Sequence, residues 1–157
     1  PRRVVKSWEE IFAGYRQSAE NLFTTFDTEG YDQMVLLTNT EFFSMCEHHI
    51  LPFFGVAHVA YIPNERVIGI SKLARLLDIY CRRLQIQERI GEQVTSDLMY
   101  YLEPAGAACV LQGVHMCMRM RGCSKRNSTM VTSSLKGDFL HQQSARMELF
   151  QLIEKEK

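Results

Sequence analysis

Two consecutive helices in the middle of the chain, with strand-forming segments on both sides, most constrain the fold. They lie in "GISKLARLLDIYCRRLQIQERIGEQVTSDLMYYLEPAG", which begins at Gly69. Apolar residues recur there at helical spacing, first at positions 73, 76, 77 and 80 and then at 90, 94, 98 and 101. Ser71 is a suitable N-cap for the first helix, and Pro104 and Gly106 end the second. We therefore expect two amphipathic helices packed on a common apolar surface.

The segments on either side are β-prone and come in pairs. Strands are predicted at residues 34–45, 55–62, 107–120 and 127–135. Apolar periodicity predicts further helices over residues 4–26 and 143–154. This order indicates an α+β fold, in which two helices cover one face of an antiparallel sheet and N- and C-terminal helices flank it. Because no repeat or linker interrupts residues 1–157, we expect a single domain.

The charge balance argues against nucleic acids and membrane surfaces as partners. The 157 residues include 18 Lys and Arg and 18 Asp and Glu, so the net charge is zero. No apolar run approaches the ~18 residues that a membrane span requires. Five cysteines, an odd number in a chain of this size, do not suggest a disulfide framework. We expect a cytoplasmic protein without a nucleic-acid or membrane partner.

Cysteine and histidine occur together in two segments, "MCEHHILPFFG" and "GVHMCMRMRG". If the second segment is a strand, alternation places residues 115, 117, 119 and 121 on one face and the methionines on the other, against helices. Cys46, His49 and Cys117 would then supply two thiolates and an imidazole. This is a reasonable zinc set, and it leaves a fourth position open for water, as in catalytic sites.

Ordinary packing is the alternative explanation for each part of this site. A lone cysteine on a strand is usually a small core residue, and one C-x-x-H pair is a weak metal signal. Two such pairs in one small domain are a stronger signal. His48 and His115 are hard to explain as packing, so we interpret them as general acid–base groups beside the metal. His58 and His141 lack such neighbours and are expected to be structural or surface residues.

Basic residues near the helices predict an anion site. Lys72 and Arg75 lie three residues apart at a helix start, where free amides and the helix dipole favour an anion. A second basic group follows Cys117, at positions 119, 121, 125 and 126. Glu88 opens the second helix, and two interpretations stay open for it. It complements the helix dipole, or it accepts the two adjacent N–H donors that guanine presents.

Five segments together resemble, in order and spacing, the successive motifs of the GTP cyclohydrolase I family. They are "CEHHILPFFG", "VIGISKLAR", "QIQERI", "GVHMCMRMRG" and "NSTMVTSSLKG". The resemblance covers nearly the whole chain, from Pro1 to Phe150. It implies the tunnelling fold and an enzyme that converts GTP to 7,8-dihydroneopterin triphosphate and formate. The substrate comes from the resemblance alone.

The resemblance also implies a role for each matching residue. Cys46, His49 and Cys117 match zinc ligands, and His48, His115 and Ser71 match residues that transfer protons. The residues that match contacts to GTP are Glu88 and Gln87 at the base, and Ser71, Lys72, Arg75, Arg121, Arg3 and Lys6 at the ribose and triphosphate. Family members form toroidal decamers with active sites between subunits, so these contacts are expected to come from more than one chain.

Two other protein classes share some of these features. A deazaguanine nitrile reductase resembles this architecture but needs a nucleophilic cysteine and a nicotinamide site, and the Cys–His–Cys set favours the cyclohydrolase. A zinc-stabilised binding module needs a fourth protein ligand that closes the metal site, and none is evident in the sequence. The preference among guanine nucleotides and the downstream pathway, whether folate, biopterin or deazapurine synthesis, stay open at this point.

Overall fold

The computed structural model describes residues 1–156. Its strands are β1 (Thr25–Asp27), β2 (Val35–Cys46), β3 (Pro52–Ile62), β4 (Arg66–Ile68), β5 (Leu84–Gln85), β6 (Gly106–His115) and β7 (Met130–Gly137). Its α-helices are α1 (Arg2–Ile11), α2 (Ile70–Cys81), α3 (Gln87–Asp97), α4 (Met116–Arg119), α5 (Asp138–His141) and α6 (Gln143–Lys155). A π-helical turn, Leu98–Leu102, extends α3.

Five of these strands form one sheet in the order β5-β2-β3-β6-β7. Its neighbouring pairs are antiparallel, apart from a short parallel pairing of β2 with β5. β1 and β4 form a separate antiparallel pair. The predicted α+β fold with an antiparallel sheet is confirmed.

The two faces of the sheet bury different helices. On one face α2 and α3 pack on the sheet through residues such as Leu77 and Val94, which are fully buried. On the opposite face α5 and α6 bury Phe139 and Leu149 against Ala60 and its neighbours. This division follows from strand alternation, because successive residues of β3 and β6 point to opposite faces.

A bulge in β2 decides which of its side chains face the candidate site. Its pairing with β3 shifts between Leu37 and Thr40, and Asn39 between them has φ of 51°. Before the bulge the odd-numbered Leu37 contacts the α2–α3 side, and after it the even-numbered Phe42 and Cys46 do so. The bulge therefore places Cys46 on the side of the sheet that carries α2 and α3.

The predicted helix over residues 4–26 is too long. α1 ends at Ile11, and the chain continues as two short 3₁₀ turns before β1. The helix stops because Gly14 packs directly on the end of α2, where its N–H donates to the Arg82 carbonyl at 3.1 Å. A Cβ at position 14 would collide with the carbonyl of Ile79, so this approach depends on glycine.

The predicted strand over residues 107–120 is also too long. β6 ends at His115, and residues 116–119 form the short helix α4. Met118 and Met120 are exposed, so the prediction that the methionines pack against helices is wrong for these two. Alternating residue types do not exclude a helical turn, and here the Met120 N–H donates to the Met116 carbonyl at 3.0 Å.

Ser71 is not the N-cap of its helix. α2 begins at Ile70, its N-cap is Gly69, and the Gly69 carbonyl accepts the N–H of Lys72 at 2.8 Å. Ser71 lies exposed in the first turn. The predicted strand at 127–135 is displaced to Met130–Gly137. Within residues 1–156, no helix combines the length and the apolar character needed to span a membrane.

Candidate metal centre and active site

The turn between β2 and β3 presents Cys46 and His49 together. The Cys46 N–H donates to the Leu51 carbonyl, and the Ile50 N–H donates to the Cys46 carbonyl, both at 2.9 Å. Ile50 has φ of 52°, an uncommon backbone conformation for a β-branched residue. Cys46 Sγ lies 3.6 Å from His49 Nδ1. The doubly hydrogen-bonded turn thus holds a thiol and an imidazole side by side.

Cys117 joins this pair from α4 rather than from a strand. The ligand atoms of Cys46, His49 and Cys117 all lie within 4.8 Å of one another. Among residues 1–156, no further histidine, cysteine or carboxylate completes the group. Two thiols and one imidazole are donors that suit zinc, and a set of three leaves a coordination position open. These residues therefore fit the predicted ion.

The thiols in this group would have to ionise to bind a metal. Burial, and secondarily the neighbouring Cys46, raise the pKa of the Cys117 thiol above its ordinary value, while Arg121 acts in the opposite direction. A bound divalent cation stabilises a thiolate strongly enough to reverse such a shift. Arg121 also lies close on the other side of the group, with Nη1 3.3 Å from His49 Nε2.

His115 lies at the end of β6, opposite Phe53 of β3. Its imidazole stacks on the Phe53 ring, with centroids 4.5 Å apart and planes 5° from parallel. Its Nε2 lies 2.9 Å from Gln87 Oε1. Burial lowers the pKa of His115, and the Glu88 carboxylate is near enough to act in the opposite direction. The contacts with Phe53 and Gln87 thus hold the imidazole ring in one orientation. His115 lies two residues before Cys117 in the sequence.

The remaining histidines divide as the sequence suggested. His48 is exposed, but its Nδ1 is 3.9 Å from Cys46 Sγ, so it lies beside the candidate metal group. His58 is buried, and its Nδ1 accepts the Asn39 N–H at 3.4 Å. His141 is exposed at the end of α5. His58 and His141 therefore have the structural and surface locations expected for them.

An ion pair ties the Cys46–His49 turn to α3. The two guanidinium nitrogens of Arg89 bind the two Glu47 carboxylate oxygens at 2.5 and 3.1 Å. This bidentate contact holds the pKa of the Glu47 carboxyl below its ordinary value. The Glu47 N–H also donates to the Gln85 carbonyl at 3.0 Å. Glu47, which lies between Cys46 and His49, is therefore fixed to α3 through its side chain and to β5 through its backbone.

We expect Arg89→Met to weaken metal binding without unfolding the protein. Arg89 is 41% exposed, so its replacement leaves the core intact, but the turn loses its attachment to α3. Loss of such a supporting contact lowers metal affinity by on the order of tenfold or more. Competition with a zinc-sensitive chelator would measure the affinity. Arg66→Met is a matched control, since it breaks the Arg66–Glu103 ion pair elsewhere. Wild-type affinity in Arg89→Met would show that the pair does not orient the turn.

The predicted substrate contacts do not share one cavity in a single chain. Arg75 lines a groove of about 760 Å³ near the start of the chain. Arg3 and Lys6 line another of about 830 Å³ along α1. Glu88 lines a third, of about 640 Å³, beside the edge strand β7. Lys72 and the exposed Ser71 lie on the first turn of α2. Arg75, the pair Arg3 and Lys6, and Glu88 thus line three different grooves, while Arg121 contacts the metal group through His49.

Sequence reasoning missed two contacts that support this site: the ion pair of Glu47 with Arg89, and the contact of Gln87, which was predicted to bind the base, with His115. The ion pair of Glu47 with Arg89 could not be predicted, because nothing in the sequence distinguishes these two residues from ordinary solvent-exposed charged residues. Gln87 did leave a signal: it lies on the same helical face as Ile90 and Val94, at i+3 and i+7. A polar residue on an apolar helix face is expected to be buried and hydrogen-bonded. The structure shows this for Gln87.

Comparison with known proteins relates this arrangement to a family. The profile described as GTP cyclohydrolase I matches residues 1–154. A curated protein from Wolinella succinogenes named GTP cyclohydrolase 1 is 51% identical over 149 residues, covering 94% of this chain and 80% of its own length. This chain belongs to the GTP cyclohydrolase I family. The resemblance seen in the five motifs is confirmed, and the chain is a hydrolase.

Other relatives agree with this assignment to the GTP cyclohydrolase I family. Proteins of the same name from Chlorobaculum tepidum and Campylobacter jejuni are 47% and 46% identical, over 98% and 100% of this chain. These matches cover 69% and 83% of the two relatives.

A solved structure shares the fold. The crystal structure of an archaeosine synthase QueF-Like in the apo form matches 66% of this chain and 93% of its own, with a TM-score of 0.53. At 17% sequence identity this likeness supports the tunnelling fold and nothing about chemistry. The open group of three ligands and the GTP cyclohydrolase I profile together argue against the reductase and the zinc-stabilised binding module.

Proposed function

We propose that this GTP cyclohydrolase I family member hydrolyses GTP at C8 of the guanine ring in a zinc-dependent reaction. C8 is released as formate, and the remainder is rearranged to 7,8-dihydroneopterin triphosphate. The observation that carries the proposal is the Cys46–His49–Cys117 group, because it leaves a coordination position open, with His48 beside Cys46 and His115 two residues before Cys117 in sequence. The substrate follows from family membership.

In this proposal Cys46, His49 and Cys117 hold the zinc, which when bound would activate water at neutral pH. His115 is a half-buried imidazole held in one orientation. Once it has taken up a second proton, it passes that proton to the imidazole nitrogen of guanine as charge builds there. His48 and Ser71 are exposed and free to carry protons in later steps, in which the ring opens and closes again.

The base and the triphosphate are held by different groups. Glu88 accepts hydrogen bonds from guanine N1–H and the exocyclic amine, with Gln87 next to it. The triphosphate is bound by Lys72, Arg75, Arg121, Arg3 and Lys6. By holding the triphosphate, these basic residues orient C8 towards the metal, so their contribution to catalysis is one of proximity and orientation.

The separate locations of these groups support a site assembled from several copies of the chain, in a toroidal decamer. α1 buries none of its residues, although Val4, Trp8 and Ile11 form an apolar stripe. Phe43 and Phe54 stack on each other in exposed positions. Within residues 1–156, β7 has a partner on one side only. These surfaces suit contacts between copies of the chain, and light scattering would measure the size of the assembly.

The expected location of the protein is the cytoplasm.

We expect Glu88→Ala to lose most GTP binding while its zinc content and assembly stay intact. The carboxylate accepts two N–H groups of guanine, and ATP offers an unprotonated nitrogen in that place, so wild type should ignore ATP. Glu88→Gln keeps the shape but loses one acceptor, and should retain part of the affinity. Equilibrium dialysis would measure the affinity for GTP of the wild type, Glu88→Ala and Glu88→Gln.

The control for this prediction is Glu148→Ala, which removes an exposed carboxylate of α6 on the opposite face of the sheet. It should bind GTP like wild type. Wild-type binding by Glu88→Ala would mean that Glu88 only complements the dipole of α3.

The proposed activity is tested by incubating the purified protein with GTP and zinc, oxidising the product and measuring pterin fluorescence. A fluorescent product that requires the metal supports the proposal. Stoichiometric zinc binding with unchanged GTP would contradict it.

A further inference from the structure

We infer that Gln87 is a positioning residue that holds His115 in the tautomer with hydrogen on Nε2. This leaves Nδ1 as the nitrogen that takes up a second proton and then passes it to the substrate, a consequence that rests on the proposed function. The tautomer itself follows from hydrogen bonds within the chain and does not depend on which reaction occurs.

The orientation of the Gln87 amide is fixed by its other contacts. Its Nε2 lies 3.1 Å from the Leu111 carbonyl, 3.2 Å from the Met130 carbonyl and 3.0 Å from Thr132 Oγ1. Backbone carbonyls only accept hydrogen bonds, so the NH₂ group has to face them. The side chain is fully buried, and a flipped amide would direct its oxygen at two carbonyl oxygens without water to replace the lost bonds.

This orientation decides which nitrogen of His115 carries hydrogen. Gln87 Oε1 is an acceptor and lies 2.9 Å from His115 Nε2, so Nε2 has to be the donor. A neutral imidazole has one N–H, and therefore Nδ1 holds the lone pair. Turning the ring over would place a carbon atom against Gln87 Oε1, and the parallel stack on Phe53 holds the ring plane.

The packing around the amide leaves room for the contact between Gln87 and His115. Position 113, two residues before His115 on β6, is glycine. A Cβ there would collide with Gln87 Oε1 and would lie 3.3 Å from the Phe42 ring. The strand thus lacks a side chain at the place where the amide oxygen passes to reach His115.

The test is the protonation of His115 in the zinc-loaded protein. Solid-state NMR of ¹⁵N-histidine-labelled protein distinguishes protonated from unprotonated ring nitrogens, and the His115 signals are those missing from His115→Ala. We expect hydrogen on Nε2 and a lone pair on Nδ1. Gln87→Met keeps the length of the side chain but removes the acceptor, so its His115 should populate both tautomers. Its kcat for GTP should fall by on the order of 10- to 10³-fold, with a smaller change in KM.

Thr95→Val is the matched control, because Thr95 is also a fully buried polar residue of α3 whose side chain hydrogen-bonds to β7, at Ser134 Oγ. It should show a similar loss of stability but wild-type His115 signals. If Gln87→Met fails to fold, Gly113→Ala serves as the second variant, since it displaces the amide oxygen without removing a hydrogen-bonding group.

Hydrogen on Nδ1 in wild type, or unchanged His115 signals in both Gln87→Met and Gly113→Ala, would overturn the inference. The proposed function can fail separately. A wild-type protein that does not convert GTP but shows the expected tautomer would contradict the cyclohydrolase proposal and leave the role of Gln87 in orienting His115 in place.

Discussion

Cys117→Ser is expected to lose its zinc and, with it, all conversion of GTP. Cys117 supplies one of only two thiols in the candidate metal group, and a serine hydroxyl neither ionises near neutral pH nor suits zinc as a thiolate does. Two remaining ligands do not hold the ion against dialysis. Atomic emission spectroscopy of the dialysed protein should find about one zinc per chain in wild type and almost none in the variant.

Cys123→Ser is the control for this result. Cys123 lies six residues further on, is exposed and has only a weak contact to the Met118 carbonyl. The same substitution there should leave zinc content and activity at wild-type levels. A Cys117→Ser protein that keeps both its metal and its activity would show that the ligand assignment is wrong.

His115→Ala should separate catalysis from metal binding. His115 contacts Phe53 and Gln87 and is not part of the Cys46–His49–Cys117 group, so the variant should keep its zinc. It should also bind GTP, while turnover falls by a factor on the order of 10²–10⁴, the usual contribution of a general acid–base residue. Zinc content, GTP binding and initial rates are measured on the same preparation.

His141→Ala, which removes an exposed histidine on α5, controls for the loss of any imidazole and should be fully active. Loss of zinc from His115→Ala would identify His115 as a ligand. Unchanged turnover would instead remove it from the reaction.

The two central helices were predictable because the spacing of their apolar residues fits a helix that packs on one face. The apolar residues of α2 and α3 recur at helical spacing, and in the structure Leu73, Leu77, Ile90 and Val94 are fully buried. The ends of elements were less predictable because tertiary contacts decide them. α1 ends shortly before Gly14, which packs against the end of α2. This tertiary contact cannot be predicted from the sequence of residues 4–26 alone.

The structure brings the three predicted metal ligands together, but not in the way that the sequence suggested. Strand alternation was expected to bring Cys117 to the site, but the strand ends at His115 and α4 delivers Cys117 instead. The grouping could still be predicted, because residue type and spacing limit which side chains suit a zinc site, whatever element carries them. The sequence could not reveal Gln87 as the hydrogen-bond partner of His115, because this contact depends on how the start of α3 packs against the end of β6.

Following C8 of the substrate tests the central claim most directly. GTP labelled with ¹³C at C8 is incubated with the zinc-loaded protein, and formate and pterin are quantified by NMR and fluorescence. The account predicts one labelled formate for each pterin formed, with both products absent after the metal is removed and restored when zinc is added back. Label that stays in the purine ring, or hydrolysis confined to the phosphates, would contradict it.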